Sequence, residues 1–522
     1  MRACAQDRKE PEMKQEKIVR VLTYFYMVPL AVMIIFNTVN SLLRTTYFEL
    51  YRDMETAKYR WDSPLLVLVS SGILLVLLYL VWKSACRQKL GDLWVSVGVA
   101  GALSLAFVLM FRCVATCDSE SLSQIAIAFM ENNYEALEQG AYLYSYSFQL
   151  GMTALLEVIY RLFGIEQFLV FQILNVMSIM VIIGLLYKIT GLLFEDESVR
   201  QMEGVLSFGM LPLYLFATFV YGDIIGWGLG VGAIYFVILY FKKDKWRDVL
   251  IAALLLMFGT LVKSNINILV VAAAIALVLH AFQNKKYKAI LLAAMLVLLS
   301  QVGVKAVNGI YANRAGLDAY PPGIPKIAWI AMSMQEADEG GYACGWYNAY
   351  NWNIYRVNDY DRDATTAACM ENLKESLSYF IEDQSYAIEF FYKKFTSQWN
   401  APTFQAMITN EWSTRYAKPL SSLDEFLIYG FGRDILYALM NVYHFLMFLL
   451  ASAYFLIGKK KWSLSKAYFV LNIFGGFLFH MLWEAQSRYI LGYFVLMLPL
   501  AAAGLCAVFE KVGAKGGKKA EV

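Results

Sequence analysis

The stretch LWVSVGVAGALSLAFVLMF-RCVATC-DSES, residues 93–121, decides the fold of this chain. Its first part, 93–111, contains no charged side chain and is long enough to cross a bilayer as a helix. Two carboxylates, Asp118 and Glu120, follow a few residues later. An acidic pair at the mouth of a membrane span indicates chemistry at the membrane surface.

The composition of the whole chain is typical of a membrane protein. Hydrophobic residues make up 59% of the chain, aromatic residues 16% and charged residues only 17%, which is far more apolar than a soluble domain of this length. The sequence therefore predicts an all-α polytopic membrane protein. Windows of about 19 residues identify about twelve spans, at 21–43, 64–82, 93–111, 166–187, 204–221, 223–241, 248–262, 265–282, 288–308, 434–457, 464–482 and 489–509.

The basic clusters of the chain predict its orientation. If the spans alternate, these clusters all fall on one side, which the positive-inside rule makes the cytoplasm. Both termini are then cytoplasmic, and we expect the membrane to be a bacterial plasma membrane. The first run, 21–43, lacks a small-residue cleavage site and is interpreted as a retained span. The clusters are Lys83/Arg87/Lys89, Lys242/Lys243/Lys245/Arg247, Lys285/Lys286/Lys288, Lys459/Lys460/Lys461 and the tail from Lys511 to Lys519.

The segment 148–163 would reverse the side of every later loop if it crossed the membrane. Its length is marginal, and Glu157 and Arg161 are spaced to form an ion pair on one helical face. Such a helix suits the membrane surface better than the bilayer interior, so we predict that it lies flat on the external face. A short thirteenth span is the alternative.

This layout divides the chain into six parts. Two of them face outside: a first loop with interfacial helices, and a larger external domain that is long enough to fold as a small domain. The six parts are an N-terminal three-span region at 1–111, the first external loop at 112–165, a central transmembrane bundle at 166–308, the external domain at 309–433, the C-terminal spans at 434–510 and a basic cytoplasmic tail at 511–522.

Polar residues gather at the predicted external ends of several spans. A YGD turn ends at Asp223, a KSN motif supplies Lys263 and Asn265 as phosphate ligands, and an EAQSRY motif places Glu484 one helical turn before Arg488. Simpler structural roles are open to each: a turn residue for Asp223, a snorkelling side chain for Lys263, and a helix-end ion pair for Glu484 and Arg488. Their convergence on one face favours a sugar-phosphate site.

Aromatic side chains are abundant in the external domain, among them Trp346 in a GWY motif. Tyrosine and tryptophan offer flat apolar faces with a polar edge. These faces suit the stacking of a sugar, and they equally suit the headgroup zone of a membrane, so both interpretations remain open.

Cysteine and histidine add little to the assignment. Cys113 with Cys117, or Cys344 with Cys369, could form a disulfide on an oxidising face, and free thiols are equally compatible with the sequence. The three histidines each lie inside an apolar run, so no zinc site is predicted. No glycine-rich phosphate loop lies between a strand and a helix, and no nucleic-acid partner is expected.

The order of these parts resembles the first external loop of the GT-C glycosyltransferases, which use lipid-linked sugars. The shared pattern runs from DSES at 118–121 through YLYSY at 142–146 and FQLG at 148–151 to LFG at 162–164. In dolichyl-phosphate-mannose protein mannosyltransferases and bacterial aminoarabinose transferases, a carboxylate near the start of this loop is the catalytic base or its metal-binding neighbour.

This resemblance assigns roles to the loop residues. Asp118 would be the base, and Glu120 would assist it or help to hold a divalent cation, while Tyr146 and Gln149 would contact substrate. Without the resemblance, both carboxylates would be interpreted as solvated loop residues or as caps of a helix that starts near Ser121.

We therefore predict a glycosyltransferase that moves a sugar from a polyprenyl-phosphate donor to an extracytoplasmic acceptor, which is an envelope glycan, lipid or protein. Lys263 and Arg488 would bind the phosphate of the donor while Asp118 deprotonates the acceptor. Two alternatives remain open. A transporter of lipid-linked oligosaccharide or polysaccharide would carry broken helices and charges near the bilayer midplane, and a polysaccharide polymerase or ligase would use similar chemistry.

Overall fold

The computed structural model describes residues 2–51, 54–336, 344–417, 421–458 and 463–519. Most of these residues are helical, and the strands among them form one hairpin. In chain order the elements are α1 (Arg2–Leu43), β1 (Arg44–Tyr51), β2 (Met54–Trp61), α2 (Pro64–Gln88), α3 (Leu93–Phe111), α4 (Asp118–Met130), α5 (Tyr142–Ser145), α6 (Leu150–Phe163), α7 (Phe168–Phe194), α8 (Glu197–Ser207), α9 (Leu211–Leu215), α10 (Asp223–Lys243), α11 (Trp246–Val262), α12 (Asn267–Asn284), α13 (Lys288–Arg314), α14 (Ile327–Met332), α15 (Tyr350–Val357), α16 (Arg362–Glu382), α17 (Gln384–Trp399), α18 (Ala406–Ala417), α19 (Ser422–Asp424), α20 (Phe431–Ile457), α21 (Leu464–Leu482), α22 (Ser487–Val495) and α23 (Leu498–Lys519).

The prediction of a polytopic helical membrane protein is confirmed. In the described parts of the chain, eight helices are long and apolar enough to cross a membrane, and α22 with α23, which meet at a 52° bend, make a ninth if they count as one span. Two further predicted spans, 248–262 and 464–482, form α11 and α21, of 17 and 19 residues, which do not pass the same test of length and hydropathy. The eight helices are α1, α2, α3, α7, α10, α12, α13 and α20.

The predicted span 204–221 is not a continuous helix. Helix α8 ends at Ser207, α9 begins four residues later with Pro212 in its first turn, and a short 3₁₀ turn follows at 216–218. Proline lacks a backbone N–H and starts helices more readily than it continues them. The helix therefore breaks between 207 and 211.

The broken segment nevertheless runs from one end of the helix bundle to the other. Lys242, near the end of α10, binds Glu195, just after α7, with 2.9 Å between Nζ and Oε1. The C-terminal ends of α7 and α10 therefore lie at the same end of the bundle. Because α10 must start at the opposite end, the segment between the two helices, which contains α8 and α9, runs the length of the bundle. By this alternation, α8 with α9, α11, α21 and α22 with α23 would also cross the membrane. The predicted count of about twelve spans stays a prediction beside the eight or nine helices that pass the test in the described chain.

The two ends of the bundle differ in charge. We call the end that carries the loop 112–165 and the block 309–433 the loop end, and the opposite end the basic end. At the basic end, Asp244 binds Lys286 at 2.7 Å and Lys288 at 3.3 Å. These two lysines hold the pKa of Asp244 below its usual value. The predicted basic cluster 459–461 lies outside the described residues.

A β-hairpin joins α1 to α2 at the loop end, where the all-α prediction expected no strand. Strands β1 and β2 pair antiparallel, from Arg44 opposite Trp61 to Tyr51 opposite Met54. The hairpin docks on the block 309–433 because the Asn400 side chain donates to the Arg44 carbonyl at 2.6 Å.

The loop 112–165 folds into α4, α5 and α6. The predicted pair forms, with Arg161 Nη2 at 2.7 Å from Glu157 Oε1. Glu157 also accepts hydrogen bonds from Arg314 at the end of α13, at 2.8 Å from Nη2. Both ends of α6 lie at the loop end. Gln149, just before α6, donates to Tyr221 ahead of α10, and Glu166, just after α6, accepts from the Gln124 side chain of α4 at 3.5 Å. This geometry agrees with a helix that does not cross the bundle.

No disulfide joins the cysteines named as candidate partners, all four of which lie in the described part of the chain. Cys113, Cys344 and Cys369 are buried, and Cys117 is exposed. Within the described ranges, no group of three or more histidine, cysteine, aspartate or glutamate side chains is arranged to hold a metal ion.

Candidate active site

A cavity of about 630 Å³ opens at the loop end of the bundle, between the loop 112–165, the block 309–433 and the ends of several spans. Its walls come from residues that lie far apart in the sequence. Eight of the ten predicted site residues line it, namely Asp118, Tyr146, Gln149, Lys263, Asn265, Trp346, Glu484 and Arg488. Glu120 is exposed and does not line the cavity, and Asp223 lies behind its wall.

Asp118 is the first residue of α4 and is exposed to the cavity. The turn before it is closed by Ser119, whose Oγ accepts from the Thr116 N–H at 2.9 Å and donates to the Thr116 carbonyl at 2.8 Å. Cys117, at φ 53°, occupies the N-cap position and makes no side-chain cap hydrogen bond. The helix thus starts three residues before Ser121, and Asp118 lies at its N-terminus, where the helix dipole favours a carboxylate.

Two tyrosines of the first loop stand beside Asp118. Burial, and then the charge of Asp118, hold the pKa of Tyr142 well above its usual range. The Tyr146 hydroxyl lies 3.1 Å from the Tyr347 hydroxyl of the second block, and burial also raises the pKa of Tyr146. Both phenols therefore stay neutral, and the Tyr142 hydroxyl is able to donate to the carboxylate.

Arg488 brings a partly buried positive charge to the cavity wall. Its backbone N–H donates to Gln405 Oε1 at 3.0 Å, but its side-chain Nε has no hydrogen-bond partner. The guanidinium lies among the rings of Phe219, Tyr221 and Tyr489, between 5.4 and 5.8 Å from their centroids. No carboxylate oxygen of the described chain lies within 4 Å of it, so the helix-end ion pair with Glu484 does not form. A guanidinium without a carboxylate partner is a ready ligand for an anion.

Lys263 and Asp223, which the sequence analysis treated as separate features, form an ion pair. Lys263 Nζ lies 2.9 Å from Asp223 Oδ2, and both side chains are nearly buried. The ammonium also faces the rings of Tyr221 at 4.6 Å and Tyr489 at 5.0 Å. Burial lowers the pKa of Lys263, while Asp223 opposes that shift. Asp223, expected to face outward, therefore holds Lys263 at the cavity wall.

Glu484 is a buried carboxyl in the linker between α21 and α22. Burial raises the pKa of Glu484 to about 7; the charge of Arg488 opposes this shift and that of Asp118 adds to it. Glu484 therefore changes its charge near neutral pH, unlike an ordinary glutamate.

Glu55, on strand β2, is a site residue that the sequence analysis missed. It lines the cavity and accepts a hydrogen bond from the Gln405 amide. The other end of the Gln405 amide accepts from Ser487 Oγ at 3.2 Å and from the Arg488 N–H. Gln405 has φ +67°, a left-handed conformation that is uncommon outside glycine and that clusters at functional sites. Burial raises the pKa of Glu55, and Arg488 opposes that shift.

The other predicted substrate contacts have structural partners of their own. Gln149 donates to the Tyr221 hydroxyl. Trp346 is almost completely buried, donates from Nε1 to Ser397 Oγ at 2.9 Å and packs on Phe48 of the hairpin with ring centroids 5.0 Å apart. Only an edge of Trp346 therefore remains for the cavity.

Comparison with known proteins adds one family match. Residues 150–304 match the family described as dolichyl-phosphate-mannose-protein mannosyltransferase. No curated protein matches the chain. The archaeal oligosaccharyltransferase AglB from Archaeoglobus fulgidus, solved in complex with an inhibitory peptide and a dolichol-phosphate, is similar with a TM-score of 0.40 and 12% identity, over 82% of this chain and 51% of that chain. This chain thus spans about half the length of AglB, and the family match does not reach Asp118.

Proposed function

We propose that this chain, a membrane glycosyltransferase of the GT-C superfamily, transfers a sugar from a polyprenyl-phosphate donor to an extracytoplasmic acceptor in a bacterial envelope. The family match over 150–304 supports the relationship that the sequence predicted. The donor, the acceptor and the residue roles are our inference. One observation carries them: an exposed carboxylate at a helix N-terminus and a partly buried guanidinium without a carboxylate partner in the described chain line the same cavity at the loop end of the bundle.

The reaction needs a base and an anion site. The Asp118 carboxylate would take the proton of the acceptor hydroxyl, whose oxygen then attacks the anomeric carbon of the donor sugar. The bond from that carbon to the phosphate oxygen breaks, and the electron pair leaves with the polyprenyl phosphate. Arg488 would stabilise the departing charge through guanidinium hydrogen bonds, assisted by the ammonium of Lys263.

The supporting residues fix these groups in place. Gln405 holds the backbone of Arg488, and Asp223 holds Lys263. Because Asp223 neutralises much of the Lys263 charge, Arg488 is the principal phosphate ligand in this proposal. Glu120, predicted from the sequence as an auxiliary carboxylate, has no role in this proposal, since it does not line the cavity.

The substitution Asp118→Asn tests the proposal. It keeps the size of the side chain and removes the base, so we expect the turnover number to fall by about two to four orders of magnitude. The polyprenyl-phosphate sugar should accumulate in cells that carry the variant, as in a strain that lacks the gene, and an envelope component should lose one sugar.

Glu120→Gln is the matched control, because it removes a carboxylate two residues away that does not face the cavity. We expect its turnover to stay within about threefold of wild type. Near-normal transfer by Asp118→Asn, with the protein inserted and folded, would exclude Asp118 as the base. Unchanged donor and glycan pools in the deletion strain would exclude the glycosyltransferase reaction itself.

A further inference from the structure

We propose that the acceptor is a saccharide, which binds at a neutral end of the cavity formed by the first loop and the second block. The name refers to five uncharged side chains, Ser145, Tyr146, Trp329, Tyr347 and Asn351. Two cations, Lys326 and Arg362, also line the cavity. The inference rests on the proposed function and names the acceptor class that the proposal left open among glycan, lipid and protein.

The cavity wall has the composition that a sugar requires. Twelve of the thirty-four described residues that line it are aromatic, about twice the share of aromatic residues in the chain, which is 16%. Only two, Ile268 and Ile324, are aliphatic. Aromatic rings offer flat apolar faces to the C–H groups of a pyranose and polar edges to its hydroxyls. An acyl chain would instead require a wall of aliphatic side chains.

Two buried polar atoms of the neutral end have no partner in the protein. Ser145 Oγ and Asn351 Nδ2 belong to side chains that are 1% and 0% exposed, and neither atom makes a hydrogen bond. The side-chain oxygen of Asn351, Oδ1, already accepts a hydrogen bond from the Trp352 N–H at 2.8 Å. A buried polar group left unpaired is costly, so these atoms are positioned for a ligand that both donates and accepts. A sugar hydroxyl does both.

The neutral end adjoins the proposed base. Tyr146 and Tyr347 join the first loop to the second block through their hydroxyls. The charge of Asp118 acts on the hydroxyls of both Tyr142 and Tyr146, and the charge of Glu484 acts on Tyr146 as well. An acceptor hydroxyl held here would therefore lie close to Asp118, while the phosphate of the donor lies against Arg488.

The aromatic side chains of the neutral end are not arranged as a membrane belt. Trp329 stacks on Trp483 with ring centroids 5.8 Å apart and an interplanar angle of 3°, and the edge of Phe148 meets Trp329 at 5.8 Å. All three line the cavity. Rings of an interfacial belt point outward to the lipid headgroups, whereas these rings pack against one another in the wall of the cavity.

Transfer in membranes of a deletion strain identifies the acceptor class. Such membranes, taken from cells grown on a tritiated monosaccharide, hold the labelled donor and the unmodified acceptor. After purified wild-type protein is added, we expect label to leave the solvent-extractable donor and enter a water-soluble polymer that resists protease. Label in protease-sensitive material, or in a second solvent-extractable lipid, overturns the saccharide acceptor. No movement of label at all contradicts the proposed function, and the inference falls with it.

Two variants locate the subsite once that polymer is isolated. Tyr347→Phe and Asn351→Ala each remove a polar group from the neutral end, so we expect each to raise the apparent KM for the polymer about threefold to tenfold with the KM for the lipid donor unchanged. Tyr379→Phe, at an exposed tyrosine on α16 outside the cavity, is the matched control and should change neither constant. Unchanged polymer KM in both variants, or equal changes for polymer and lipid donor, would contradict a saccharide site at this end.

Discussion

The carboxyl of Glu484 lies among charges of both signs. Burial and Asp118 favour its neutral form, whereas Arg488 and Lys263 favour its ionised form, and the resulting pKa is about 7. Lys394 also acts on Glu484 from the second block; burial lowers the pKa of this lysine to about 7 as well. The folded state holds the Glu484 proton more tightly than the unfolded chain does. The free energy of unfolding therefore falls as pH rises from the ordinary glutamate pKa through about 7.

The affinity for the donor should depend on the same proton. A sugar-phosphate diester keeps one negative charge across neutral pH, so a change in affinity must come from the protein. When Glu484 ionises, its carboxylate repels the phosphate and competes for Arg488. We take the loss of donor binding on ionisation of Glu484 as equivalent to one pKa unit, which is about 1.4 kcal/mol. The apparent KM for the lipid donor should then rise about tenfold between about pH 6 and pH 8.

The variant Glu484→Gln separates this carboxyl from its neighbours. It keeps a hydrogen-bonding side chain of the same size without a titrating group, so the steady-state KM for the donor should become nearly independent of pH. If the rise with pH persists in Glu484→Gln, Lys394 or another group is its origin, and Glu484 has no part in binding the phosphate.

At the scale of elements, one arginine holds three helices of the loop end together. Arg314, at the end of α13, binds Glu157 on α6 at 2.8 Å, and it donates to the Phe129 carbonyl near the end of α4 at 2.9 Å. The Tyr311 hydroxyl also donates to Glu157. Helix α4 carries Asp118 at its other end, so this cluster sets the position of the proposed base.

Removing Arg314 should destabilise the loop end. Arg314→Met leaves the buried Glu157 carboxylate with fewer partners, and breaking a buried pair costs about 3 kcal/mol. We expect a lower Tm for the purified protein in detergent and a loss of transfer. Arg161→Gln is the control: Arg161 binds the same carboxylate but is about half exposed, so its effect should be at most about 1 kcal/mol. Equal losses from both variants would contradict a special role for Arg314.

The sequence predicts the helices better than the contacts between them. Hydropathy alone locates the spans, because an uninterrupted apolar run of bilayer length rarely forms anything except a transmembrane helix. The hairpin was missed although residues 44–61 are rich in threonine and tyrosine, which favour strands. The break at Pro212 was also missed, since its surroundings stay apolar throughout.

The side-chain partners of the site depend on residues far apart in the chain. Spacing left open a pair between Glu484 and Arg488 as the alternative to phosphate binding. Gln405 instead holds the backbone of Arg488, and the guanidinium has no carboxylate within pairing distance in the described chain. Lys263 and Asp223, forty residues apart, were predicted as separate features and bind each other. Such choices follow from tertiary packing, which local spacing does not encode.

At the scale of the whole molecule, the alternation of crossings creates the site. Residues as distant as Glu55, Asp118, Lys263 and Arg488 meet because each follows or precedes a span that ends at the loop end. The basic loops gather at the opposite end. By the positive-inside rule, we propose that the cavity opens away from the cytoplasm, on the side where the acceptor lies.

Labelling of single cysteines tests this orientation. In a background without the seven native cysteines, Glu382→Cys on the second block and Ile165→Cys after α6 should react with a membrane-impermeant maleimide in intact cells. Lys245→Cys, in a basic loop, should react only after permeabilisation. All three positions are exposed in the structure.

Ile165 decides the course of α6: if that helix crossed the membrane, Ile165→Cys would label with Lys245→Cys, and the twelve-crossing arrangement would be wrong. Labelling of Glu382→Cys and Lys245→Cys from the same side would overturn the orientation and remove the proposed site from the outer face.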